Sequence, residues 1–128
     1  KFLIFSYKEH ILNKLEHDKT AIISHSSTHR NNIIHDFKEC KIQNLVLNAS
    51  QDCAGLNLQE ADGIILMHTM QHCEIIQAIT RIARIGRKSI KPIPVHCLCY
   101  SNEQLPDINQ LYNSLSEINV PFKYILTS

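Results

Sequence analysis

The sequence lacks several features that mark familiar classes of protein. No apolar stretch approaches the length needed to span a bilayer, no signal peptide is recognisable and no low-complexity run occurs. Only three glycines are present, and none belongs to a Gly-x-x-x-x-Gly-Lys-[Ser/Thr] phosphate loop. An Asp-Glu pair of the kind that holds magnesium is also missing. We therefore expect no membrane partner and no complete site for a nucleoside triphosphate within this chain.

The composition is that of one soluble globular domain covering residues 1–128. The chain is 44% hydrophobic and 20% charged, which is enough apolar material for a real core. It begins with Lys1 and runs directly into an apolar segment, so we expect a piece of a longer protein. Five cysteines, an odd number without regular spacing, argue against a disulfide framework and predict a reducing, intracellular compartment.

Short apolar runs alternate with segments of helical periodicity along the chain. The predicted strands are Phe2–Phe5, Ala21–Ile23, Leu45–Leu47, Gly63–Leu66, Val95–Tyr100 and Phe122–Leu126. The predicted helices are Lys8–His17, Arg30–Lys38, Gln77–Arg87 and Pro106–Leu115. This alternation predicts an α/β three-layer sandwich, with a mainly parallel sheet and helices on both faces. Functional residues are then expected in the loops at the carboxyl ends of the strands.

The segment Gln77–Arg87 has the strongest pattern in the sequence. At 100° per residue, Gln77, Arg81 and Arg84 fall on one side of a helix. The apolar residues on the other side are Ile75, Ala78, Ile79, Ile82 and Ile85. Gly86 then supplies a helix end. No acidic residue occurs from Ile75 to Asn102, so the region is locally positive although the net charge of the chain is +1. Such a face suits an anionic ligand, or is an ordinary solvated face of an amphipathic helix.

The pattern Gln-Ala-x-x-Arg-x-x-Arg-Ile-Gly resembles the last signature motif of superfamily 2 helicases, most closely that of the Swi/Snf-like translocases. Two further segments resemble motifs of the same family in the same order. Ser26-Ser27-Thr28 is similar to its Gly-Ser-Thr segment, and Gly55-Leu56-Asn57-Leu58 is similar to the end of its fifth motif. The resemblance covers about residues 1 to 100 and implies the second, C-terminal RecA-like lobe.

The resemblance also implies an activity and a set of site residues. The parent protein would hydrolyse ATP, held with Mg²⁺ mainly by the first RecA-like lobe, and translocate on nucleic acid, most readily duplex DNA. Arg81 and Arg84 would act as arginine fingers. The implied nucleotide-contact residues are Gly55, Asn57, Gln77, Arg81 and Arg84. The implied nucleic-acid contacts are Ser26, Ser27, Thr28, Asn48 and Ser50. A cellular protein of this kind would be nuclear, and a viral origin stays open.

Two other interpretations fit parts of the sequence. A non-catalytic α/β interaction module could use the same basic helix to bind a protein or nucleic-acid partner. A zinc site could be assembled from His68, His72, Cys73, His96, Cys97 and Cys99. Along a strand, however, Cys97 and Cys99 point the same way and His96 points to the opposite face. We expect buried cysteines at these positions and no metal.

Overall fold

Six parallel strands and three helices make up the part of the chain that the structure describes. This computed structural model describes residues 1–6, 14, 19–23, 27–48, 58, 60–83, 91–99, 107–117 and 120–127. The strands are β1 (Phe2–Ser6), β2 (Thr20–Ile22), β3 (Asn44–Asn48), β4 (Gly63–Leu66), β5 (Ile93–Leu98) and β6 (Phe122–Thr127). The helices are α1 (Ser27–Lys38), α2 (His72–Ile82) and α3 (Ile108–Glu117). The predicted helix Lys8–His17 lies outside the described residues, apart from Lys14.

The strands form one sheet in the order β2-β3-β1-β4-β5-β6, and every neighbouring pair is parallel. The first strand of the chain is therefore central, with Phe2 paired to Asn44 on one side and to Gly63 on the other. The predicted α/β fold with a parallel sheet is confirmed. Because all six strands run the same way, their carboxyl ends share one edge of the sheet.

The buried apolar side chains of α1, α2 and α3 all belong to the core on one face of the sheet. That core joins alternate strand residues, such as Leu3 and Ile64, to helix residues such as Phe37, Ile79 and Leu111. A smaller apolar cluster around Ile4 and Val46 lies on the opposite face. The connection from β1 to β2 runs across the sheet in the opposite direction to the connections that follow it. Most of that connection lies outside the described residues.

Gly63, the first residue of β4, permits close packing across the centre of the sheet. A Cβ atom at this position would lie 2.7 Å from Cε1 of Phe2, 2.9 Å from Cγ of Pro94 and 3.0 Å from the backbone oxygen of Pro94. These distances are below ordinary van der Waals contact. The absence of a side chain at Gly63 thus lets β1 and β5 contact each other over β4.

The carboxyl end of α1 is closed by two hydrogen bonds around Cys40. The N–H of Cys40 donates to the carbonyl of Phe37 at 3.2 Å, and the N–H of Lys41 donates to the carbonyl of Asp36 at 2.9 Å. This is the Schellman arrangement, in which the residue after the helix adopts a left-handed conformation. Cys40 has a φ of 64°, a value that usually favours glycine.

Within the described ranges, no helix is both long enough and apolar enough to cross a membrane.

Candidate functional site

The strand order predicts a crevice at the carboxyl edge of the sheet, between β1 and β4. The chain leaves β1 toward β2 on one side of the sheet and leaves β4 toward β5 on the other side. Adjacent strands whose connections diverge in this way open a cleft, where open α/β sheets usually bind ligands. The predicted nucleic-acid and nucleotide segments follow strands that end at this edge, so the fold brings their starting points together.

The residues predicted to contact nucleic acid are described only in part. Ser27 and Thr28 form the first residues of α1, so the predicted helix begins earlier than Arg30. Asn48 is the last residue of β3 and is paired with Ser6 of β1. The first turn of α1 contains no acidic residue. Two further predicted contacts, Ser26 and Ser50, lie outside the described residues.

Of the predicted nucleotide contacts, Gln77 and Arg81 are described, and both lie on α2. Gln77 is exposed, as the helical pattern predicted. The helix itself ends at Ile82, with Ala83 as its cap, rather than near Gly86. The remaining predicted contacts, Gly55, Asn57 and Arg84, lie outside the described residues.

The position of Arg81 differs from the prediction. We expected it on an exposed polar face beside Gln77, yet its side chain is 1% exposed and is among the largest fully buried side chains. Its Nε and Nη1 atoms are shielded from solvent. The helical pattern considered only a core on one side of α2, whereas Leu58 of the preceding connection also packs against this helix. The expectation that Arg81 faces solvent is therefore wrong for this conformation.

A backbone hydrogen bond fixes the contact between Leu58 and α2. The N–H of Leu58 donates to the carbonyl oxygen of Arg81 at 3.1 Å, and the Leu58 side chain is fully buried. Carbonyls in the last turn of a helix have no partner within the helix, and Leu58 supplies one. This tertiary bond also coincides with the early end of α2. It joins the last residue of the Gly-Leu-Asn-Leu stretch to the helix that carries Gln77 and Arg81.

A buried polar contact at the crevice was not anticipated from the sequence. The Oγ of Ser6 lies 3.3 Å from Nε2 of His68, and the exposed fractions of these side chains are 0% and 6%. The Nδ1 of His68 lies 3.1 Å from the carbonyl oxygen of Thr69. Two features of the sequence could have indicated this contact. Ser6 is a small polar residue directly after an apolar run, and His68 follows a second apolar run by two residues. Sequence reasoning had considered His68 only as a zinc ligand.

The histidines and cysteines considered for zinc are spread over the fold. No group of three or more histidine, cysteine or acidic side chains is positioned to hold a metal ion among the residues that could be searched. Cys97 is fully buried and Cys73 is exposed.

Burial, with a contribution from the nearby Cys97, raises the pKa of Tyr124 above its usual range. Burial also raises the pKa of Glu74 in the first turn of α2.

Comparison with known proteins shows which proteins share the sequence and fold of this chain. No protein-family model matches the chain. It is 34% identical over 95 residues, 70% of its length, to "Putative helicase R592" of Acanthamoeba polyphaga mimivirus, and it spans 11% of the length of that protein. It is also similar to the crystal structure of the C-terminal part of the Fun30 ATPase domain, with a TM-score of 0.59, 23% identity, and coverage of 79% of this chain and 36% of that one.

A second solved structure extends the similarity over almost the whole chain. The C-terminal domain of the DEAD-box protein Dbp5 matches with a TM-score of 0.61 and 18% identity, covering 98% of this chain and 74% of that one. At these identities the structures establish the shared fold, and the viral relative agrees with it. The chain therefore has the fold of the C-terminal RecA-like lobe of superfamily 2 helicases and ATPases, the family that its motifs predicted.

Proposed function

We propose that this chain is the second motor lobe of a Swi/Snf-like, ATP-dependent nucleic-acid translocase. The observation that carries the proposal is the hydrogen bond from the N–H of Leu58 to the carbonyl of Arg81. It joins two segments, distant in sequence, that resemble the fifth and the last motif of that family. Both segments follow strands that end at one edge of a parallel sheet, where such folds bind their ligands.

The residues of this chain suit a site that completes a nucleotide-binding cleft rather than one that holds the nucleotide. The exposed amide of Gln77 can contact phosphate or ribose groups, but the chain has neither a phosphate loop nor an acidic pair for magnesium. ATP with Mg²⁺, held mainly by the first lobe, would supply the phosphoryl group that is transferred to water. Gln77, with Gly55 and Asn57 of the Gly-Leu-Asn-Leu stretch, would close over it from this side.

The arginines of α2 and the residues just after it would stabilise the transferred phosphoryl group. A guanidinium is planar and permanently charged, so it grips two phosphate oxygens as negative charge builds in the transition state. We assign Arg84 as the arginine finger. Arg81 stays a second candidate, but its buried guanidinium could reach the nucleotide only after the groups that enclose it shift when the cleft closes.

The nucleic-acid track would run along the same edge of the sheet. Ser26, Ser27 and Thr28 at the start of α1, and Asn48 and Ser50 at the end of β3, would contact the sugar-phosphate backbone, most readily that of duplex DNA. Backbone amides at a helix start and small polar side chains are suited to phosphate oxygens, and they carry no sequence information. Opening and closing of the cleft would move the two sets of contacts in alternation.

The test is the ATP turnover of the longer protein in which this chain is joined to its first lobe. In that protein, Arg84→Ala should lower nucleic-acid-stimulated turnover by about 10³- to 10⁵-fold, the range typical of an arginine finger. Nucleotide affinity and melting temperature should stay near those of the unaltered protein, and Arg84→Lys should restore little activity. The proposal fails if the unaltered protein shows no nucleic-acid-stimulated turnover, an outcome that favours the interaction module. Near-normal turnover of Arg84→Ala would remove only the arginine-finger assignment.

A further inference from the structure

The buried contact between Ser6 and His68 lies where the two proposed sites meet. Ser6 ends β1 and is fully buried, and His68 follows β4 by two residues. Their 3.3 Å contact bridges the crevice between the two central strands. A second bond reinforces this junction, since the N–H of Met67 donates to the carbonyl of Phe5 at 3.0 Å. Water reaches neither Ser6 nor His68 to any large extent, so the contact is shielded from competition.

The geometry around His68 defines one tautomer of the neutral ring. The Nδ1 atom lies 3.1 Å from a carbonyl oxygen, which can only accept a hydrogen bond. In the neutral ring Nδ1 therefore carries the hydrogen and donates a hydrogen bond to the carbonyl of Thr69. The Nε2 atom is then an acceptor, and the hydroxyl of Ser6 donates to it. The ring is thus held at both ends, by β1 and by the segment that leads into α2.

The same contact connects two elements with different proposed roles. On one side, Ser6 is paired with Asn48, the end of the strand proposed to contact nucleic acid. On the other side, His68 lies shortly before His72, where α2 begins, and α2 carries Gln77 and Arg81. Met70, between His68 and the helix, is 6% exposed and belongs to the main core, so this short connection is anchored to the core at Met70.

We infer that Ser6 and His68 are positioning residues. They link the end of β3, which is proposed to contact nucleic acid, to the start of α2, the helix that carries Gln77 and Arg81. A shift of β3 or β1 on binding nucleic acid would be passed through Ser6 to His68 and from there to the start of α2. Packed, hydrogen-bonded elements transmit such shifts because their groups cannot move independently. This inference rests on the proposed function. It assigns no catalytic step to either residue, because both side chains are enclosed and neither faces an open site.

The experiment compares Ser6→Ala with a matched serine in the two-lobe protein. The matched variant is Ser116→Ala, because Oγ of Ser116 also makes a hydrogen bond, at 3.3 Å to the carbonyl oxygen of Asn113, but lies within α3, outside the proposed link. ATP turnover is measured without and with saturating nucleic acid, together with the melting temperature. Ser6→Ala should leave basal turnover within about twofold and lower the stimulated rate by about fivefold, in the range of known coupling effects. Ser116→Ala should change neither rate.

The state of the His68 ring gives a readout that does not depend on activity. In the protein labelled with ¹⁵N-histidine, the chemical shifts should identify His68 as protonated on Nδ1. Ser6→Ala should shift the Nε2 resonance and leave Nδ1 protonated, because the carbonyl of Thr69 remains. A second variant, His68→Asn, keeps an amide near the carbonyl of Thr69 but is too short to reach Ser6. It should reproduce the loss of stimulation, and combining it with Ser6→Ala should add little further loss.

Each outcome bears on a distinct statement. If Ser6→Ala and His68→Asn keep full stimulation, or lose basal and stimulated turnover to the same extent, the linking role is wrong although the motor function stands. A ring protonated on Nε2 would also overturn it. If the unaltered protein shows no nucleic-acid-stimulated turnover, the proposed function itself fails and the linking role falls with it.

Discussion

Truncation of Arg81 separates the anchoring of α2 from its proposed chemistry. The pattern in the sequence predicts that Arg81→Ala costs no stability, because the side chain was expected to face solvent. The structure predicts a loss of stability, since the Arg81 side chain is 1% exposed. The backbone carbonyl of Arg81 also accepts a hydrogen bond from the N–H of Leu58. The variant would remove a guanidinium and its aliphatic stem from an enclosed site, leaving a cavity and disturbing the contacts around it.

The expected size of this effect follows from the burial. Large-to-small substitutions at fully buried positions cost about 2–5 kcal/mol, and we expect Arg81→Ala to lower the free energy of unfolding by about 2–4 kcal/mol. A domain of this size is usually stable by about 6–19 kcal/mol, so the variant should still fold. For a chain of this length, 1 kcal/mol corresponds to about 3–5 °C, and the melting temperature should fall by about 6–20 °C.

The measurement is urea and thermal unfolding of the 128-residue chain, followed by circular dichroism. Gln77→Ala is the matched control, because Gln77 lies one turn earlier on the same polar side of α2 and is exposed. It should change the free energy of unfolding by no more than about 0.5 kcal/mol. Arg81→Met restores much of the lost volume without the charge and so separates packing from electrostatics. If Arg81→Ala and Gln77→Ala have the same free energy of unfolding, the guanidinium is not buried in solution and the reasoning is refuted.

Two further predictions concern the backbone of the fold. Gly63→Ala should lower the free energy of unfolding by about 1–3 kcal/mol, because its Cβ would lie 2.7 Å from Phe2 and 3.0 Å from the backbone oxygen of Pro94; an unchanged urea midpoint would contradict this packing. Cys40→Gly should raise the free energy of unfolding by about 0.5–1 kcal/mol, since glycine relieves the left-handed conformation at φ 64° and the exposed side chain loses no contact. Cys40→Ala, which keeps the strain, should give no such gain, and an equal gain for both variants would count against the explanation.

The strands were predictable where burial alone determines them. β4 was predicted and found at Gly63–Leu66, because a short apolar run buried on both faces has few other solutions. β5 was expected to begin only after Pro94, yet it starts at Ile93. The N–H of Ile93 bonds toward β6, so the missing N–H of Pro94 points toward β4, where pairing begins only at Val95. The missing N–H of Pro94 therefore leaves no carbonyl oxygen of β4 without a hydrogen-bond donor in the paired part of the sheet.

The candidate site was predictable as a set of segments but not as an arrangement. Motif order indicated that the Gly-Leu-Asn-Leu stretch and the arginine helix belong to one site, and the bond from Leu58 to Arg81 places them in contact. The burial of Arg81 is a tertiary feature, which the periodicity of one helix cannot contain. The contact between Ser6 and His68 likewise requires the strand order, since these residues become neighbours only when β1 and β4 are paired.

The central position of β1 has a consequence for how the chain is made. Both neighbours of this strand come much later in the sequence, because Phe2 is paired with Asn44 and with Gly63. At usual rates of protein synthesis, roughly 40 residues take ~2–8 s to add, and until then the apolar strand has unpaired edges on both sides. The sheet therefore cannot grow outward from its middle as the chain leaves the ribosome. Its central strand waits longest for a partner, and an apolar strand with unpaired edges is prone to aggregate until chaperones or later strands cover it.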